Sequence, residues 1–177
     1  MTALLRGRVV LVVALALVIQ EALLSGLKIH GAHPDLMLLL PIVFGLVGGS
    51  ERGAVVGFAA GLLTDLFVDT PFGLSILTYT VIGFAVGLTE GDRLGGGWWM
   101  TPLVATVASA AGVVLYAGLG AALGQGQMLH QHLLTVTAVV AVVNGLLAAP
   151  AVRLTRWAMN LGGPGTWYSS PMRTQSR

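Results

Sequence analysis

Cysteine is absent, so disulfides and thiol chemistry are excluded. Charge is scarce: Asp, Glu, Lys and Arg together make 9% of the 177 residues, where soluble domains carry about 25%. A chain so poor in charge cannot cover a water-exposed surface with polar groups. Catalytic patterns are missing as well. There is no HExxH, no phosphate loop and no spacing that suggests a Ser, His and Asp triad. The glycines at 95–97 sit beside Trp98 without a βαβ context, so they read as a turn and not as a nucleotide fingerprint. The net charge of +2 comes from arginines scattered singly, which build no stripe for nucleic acid.

What is present is apolar length. The chain is 55% hydrophobic with a mean hydropathy of +0.86. That composition predicts an all-α polytopic membrane protein, a bundle of about six transmembrane helices. Crossing about 30 Å of hydrocarbon takes about 20 residues at 1.5 Å each. Six candidate spans follow: 9–27, 35–49, 53–68, 72–89, 99–123 and 132–152. The second and third are short; the open readings are that they tilt little, thin the bilayer locally, pack within the protein or form a re-entrant pair. One membrane domain, 1–159, precedes a polar Gly- and Pro-containing tail, 160–177, expected to be flexible and cytoplasmic. Arg6 and Arg8 before an apolar run resemble a signal peptide. Gln20 and Glu21 interrupt that run and no small-residue cleavage site follows, so retention as a first helix is expected.

The positive-inside rule orients the spans. With the N-terminus inside, Arg6, Arg8, Arg52, Arg93, Arg153, Arg156, Arg173 and Arg177 are cytoplasmic, and Lys28 alone is outside. Both termini are thereby predicted in the cytoplasm of a cell inner (plasma) membrane protein. Trp98, Trp99 and Trp157 fall at the inner boundary, where amphipathic rings anchor. Pro34, Pro71 and Pro102 stand where helices should begin, with Thr70 and Thr101 as N-caps. Pro41 falls inside the second span and should kink it, and Pro150 should break the last helix. The segment 151–159 would then lie along the inner interface.

The densest pattern lies in 53–73. Gly53, Gly57 and Gly61 recur every fourth residue and form one bare stripe on a helix. Such a stripe lets two helix backbones approach closely, either within the chain or against a partner. Asp65 continues the stripe. A carboxylate at membrane depth must face protein or water, or be protonated. Lys28 and the N–H groups at the start of the fourth helix are its candidate partners. Its readings are a cap that fixes the turn, an ion or proton site, or a partner contact. Glu21 reads as a satisfied structural acid. His30, His33, His130 and His132 all fall in outer loops at no recognised zinc spacing, so no metal and no cofactor are predicted.

The stretch His33-Pro34-Asp35-Leu36-Met37-Leu38-Leu39-Leu40 resembles the P-D-L-x-L-L opening of the second helix in the rod-shape-determining MreD family. Residues 53–74, GAVVGFAAGLLTDLFVDTPFGL, resemble that family's glycine-striped helix, its Asp and its Pro-x-Gly turn. The matching residues are Gly57, Gly61, Asp65, Pro71, Gly73 and Leu74, and the resemblance covers about a third of the chain. It implies a non-catalytic scaffold in the bacterial machinery that elongates the cell and synthesises peptidoglycan. The implied partners are MreC, RodA and its transpeptidase, and MreB filaments indirectly. Pro34, Asp35, Gly53, Gly57, Gly61, Asp65, Pro71 and Gly73 would serve helix packing, turn geometry and partner docking. The competing reading is a substrate-binding S component of an energy-coupling-factor vitamin transporter, whose fold that family's resembles. Tyr79 would then be a pocket residue, although few aromatics are available to line such a pocket.

Overall fold

The computed structural model describes residues 2–20, 35–67, 72–89, 99–124 and 133–159. These residues form six helices and no strand. They are α1 (Thr2–Ile19), α2 (Leu36–Gly48), α3 (Ser50–Phe67), α4 (Leu74–Leu88), α5 (Met100–Ala122) and α6 (Leu133–Ala158). The candidates Pro34 and Pro71, together with Glu21, Lys28, all four histidines and the tail, lie outside the described residues.

The helices are unequal. Among the described residues, α5 and α6 alone are both long and apolar enough to cross a membrane. At 1.5 Å per residue, α2 with 13 residues spans about 20 Å and α4 with 15 about 22 Å. Two expectations are corrected. α5 begins at Met100 with Trp99 as its cap residue, so Thr101 is not an N-cap and Pro102 lies inside the first turn. Pro150 does not end α6, which runs on to Ala158. Proline removes only the bond to the carbonyl four residues back, that of Leu146. An apolar helix held by its neighbours tolerates that loss.

α2 is the axis of the bundle. It packs against α3 and α4, against α5 and α6, and against α1. Every residue from Met37 to Gly45 is buried, and Phe44, Met37, Leu38, Ile42 and Val43 are among the largest fully buried side chains. The tightest pairs are α3 with α4 and α5 with α6. Leu38 reaches the α5 backbone because Gly112 has no side chain there; a Cβ would lie 2.9 Å from Leu38 Cδ2.

The outward faces are apolar. Leu11, Leu15 and Val18 of α1, Phe58 of α3, Leu77, Val81 and Phe84 of α4, Val107 and Val114 of α5, and Val142 and Leu146 of α6 are all exposed. The buried set includes Asp65, Ser75, Thr78, Ser109, Asn144 and Thr155. A protein that faces water buries its large aliphatics and leaves single ones outside. Here the apolar surface wraps the bundle and polar groups are held within.

Candidate functional site

The glycine stripe settles where α3 goes. A Cβ at Gly61 would lie 2.5 Å from Ile76 Cα, and one at Gly57 2.6 Å from the carbonyl carbon of Tyr79. Gly53 meets the backbone of Gly83 in the same way. α4 answers with its own bare positions. A Cβ at Gly83 would meet Gly53 and Pro41, and one at Gly87 would meet Ser50. The contacts are backbone against backbone, so no rotamer can relieve them. Gly53, Gly57 and Gly61 are covered by α4 of the same chain, and this face is not open to a partner. Of the two readings of the stripe, the seam within the chain is the one this packing supports.

The same approach brings Asp65 over the start of α4. Its Oδ2 accepts from Gly73 N at 2.8 Å and Ile76 N at 3.4 Å, and its Oδ1 accepts from Ser75 N at 3.1 Å. Gly73 is the cap residue of α4 at φ +100°, a left-handed conformation that glycine adopts without a Cβ penalty. It has no side chain with which to cap, so the carboxylate is supplied from α3, eight residues back. The helix N-terminus carries partial positive charge, which favours an anion there. Of the partners weighed from the sequence, these backbone groups are the ones in contact; Lys28 lies outside the described residues.

A second carboxylate organises the start of α2. Asp35 is the N-cap: its Oδ1 accepts from Leu38 N at 3.0 Å and its Oδ2 from the Tyr79 hydroxyl at 2.6 Å. Its backbone carbonyl accepts from Leu39 N at 3.3 Å and from Asn144 Nδ2 at 3.0 Å. Asn144 Nδ2 also donates to Ser109 Oγ at 3.0 Å. Gln20 Oε1 accepts from Met37 N at 3.0 Å. Five helices (α1, α2, α4, α5 and α6) thus meet at one polar knot. Ser109 and Asn144 stand near the middles of α5 and α6. α2 therefore starts half-way through the bundle and runs towards one pole, where Gly48 packs by Met159.

Asp35, Gly53, Gly57, Gly61, Asp65 and Gly73 are brought into one continuous α2–α3–α4 unit. Tyr79 belongs to it through its hydrogen bond to Asp35. Ser109 and Asn144 were not singled out from the sequence, and Gln20 only as a break in the first apolar run. Their signal was a lone polar residue inside an apolar run, which must find a partner somewhere. The described residues hold no group of three side chains suited to a metal. Both carboxylates are engaged as backbone acceptors, which is chemistry of helix termini. No protein-family model matches this chain, and comparison with curated proteins and with solved structures finds none similar.

Proposed function

We propose that this chain is a multi-pass membrane scaffold, with both termini cytoplasmic, in the bacterial machinery that elongates the cell and builds peptidoglycan, as its resemblance to the MreD family implies. One observation carries the reading. The residues that bear the resemblance, Asp35, Gly57, Gly61, Asp65 and Gly73, are used up in shaping the α2–α3–α4 unit. A site that turns over a substrate keeps reactive groups free to meet it. A scaffold instead fixes the shape of its outer faces.

The apolar outer faces are then what MreC's membrane helix or the neighbouring polymerase helices would contact, alongside lipid. The transporter reading needs a pocket with free polar groups, and Tyr79, its aromatic candidate, is committed to Asp35. The test is depletion in the native host, imaging cell width and the position of new wall synthesis as the protein disappears. Widening or rounding with delocalised synthesis is expected. Unchanged shape, with growth rescued by an added vitamin, would refute the scaffold and favour the transporter.

A further inference from the structure

We propose that the pole of the bundle at which α6 ends binds the phosphate headgroups of anionic phospholipids through Arg8, Arg52, Arg153 and Arg156. The inference rests on the membrane reading above. Three elements distant in sequence converge there. The Arg8 guanidinium lies 5.2 Å from the centroid of the Trp157 ring, within cation–π range, which joins α1 to α6. Arg52 Nη1 donates to Met159 Sδ at 3.6 Å, which joins the start of α3 to the same helix end. Arg153 lies one turn before Trp157, and Arg156 one turn before Met159.

Among the described residues the arginines at this pole outnumber the carboxylates. Every arginine whose side chain is described is here, and among the described residues Glu51 is the only carboxylate at this pole. Glu51 adjoins Arg52 in sequence, and neighbours i and i+1 on a helix do not face each other. Arg153 and Arg156 lie in the last turns of α6, where the helix dipole favours cations. Arg52 is different. It is the third residue of α3, at the positive end of its own helix, and its side chain packs on Gly48 at the end of α2 and on Met159 just past α6, two helix C-termini that favour a cation. The rings of Trp99, at the start of α5, and Trp157, at the end of α6, are both exposed, as interfacial rings are. Phosphate recognised by guanidinium groups beside apolar helix faces is the chemistry of a lipid headgroup with its chains alongside.

The full chain, purified in detergent, would be titrated with phosphatidylglycerol, phosphatidylcholine and soluble glycerol phosphate, with binding read by native mass spectrometry. Phosphatidylglycerol is expected to bind well above phosphatidylcholine, with no competition from equimolar glycerol phosphate. Near an anionic surface each cation contributes about fivefold in affinity. Combining Arg52→Gln with Arg156→Gln should therefore weaken phosphatidylglycerol about thirtyfold, while Arg52→Lys with Arg156→Lys stays close to wild type. If the double variant does not fold, Arg156→Gln alone, at an exposed position, should still cost about fivefold. Equal binding of the two lipids, displacement by glycerol phosphate, or unchanged affinity in the Gln variants would overturn the proposal. Alkaline extraction of cell membranes separates the two readings. A chain that stays in the membrane but shows no lipid preference lacks this site only, whereas a chain released by alkali removes the membrane reading with it.

Discussion

Adding one methyl group at Gly57 tests the α3–α4 seam directly. A Cβ there would lie 2.6 Å from the Tyr79 carbonyl carbon and 2.9 Å from Thr80 Cα, where ordinary contact begins at 3.4 Å. The first gap is short by about 0.8 Å, and the obstructing atoms are backbone. Gly57→Ala must therefore shift α4 as a body, moving Gly73 from Asp65 and Tyr79 from Asp35. Overpacking by one methylene costs about 1–3 kcal/mol, and the upper part of that range is expected because a main chain has to give way. Gly57→Leu should not accumulate at all. The control is internal. Gly118 lies in α5 with nothing within 4 Å of its would-be Cβ. There alanine gains helix propensity and should be neutral or stabilising by up to about 1 kcal/mol. Both variants would be unfolded thermally in the same detergent. If Gly57→Ala melts with Gly118→Ala, the seam is not a close-packed contact and the placement of α4 is wrong.

Three other substitutions probe the polar contacts. Asp65→Asn turns an acceptor into an N–H₂ group facing backbone N–H donors; it should cost about 1–3 kcal/mol and speed amide exchange at Gly73, Ser75 and Ile76, and unchanged exchange there would refute the cap. Tyr79→Phe removes the 2.6 Å bond to Asp35 and should cost about 1.5–3 kcal/mol. Combined with Asn144→Ala, it should show coupling of at least about 0.5 kcal/mol, whereas strict additivity would mean that the knot does not act as a unit. Pro150→Ala restores one backbone donor to a helix that already continues through the site; it should leave thermal stability unchanged or raised, and a marked loss would show that the proline shapes α6.

The sequence was most legible where one element declares its own geometry. Glycines at 53, 57 and 61 fall on one face by spacing alone, and Asp65 is only eight residues from the N–H group it caps. Apolar length located all six helices, and the shortness of the second candidate span survives as the 13-residue α2. Contacts between distant elements were not legible. Nothing local ties Tyr79 to Asp35, 44 residues away, or Asn144 to the Asp35 carbonyl, 109 away. The matching bare positions on α4, Gly83 and Gly87, were present but carry meaning only once α4 is laid against α3. The error at Pro150 came from a rule for water-exposed helices, applied where flanking helices hold the chain in place.

The enclosure of α2 bears on how much variation each helix can absorb. Around α4 the exposed positions Leu77, Val81, Phe84 and Leu88 recur with the helical period, so substitutions there meet no neighbour in the chain. Along α2, nine consecutive residues, Met37 to Gly45, are buried, and the period vanishes. A map of tolerated substitutions would therefore show stripes on α4 and one unbroken block on α2. The shortest of the six helices would be the part of the chain least free to drift.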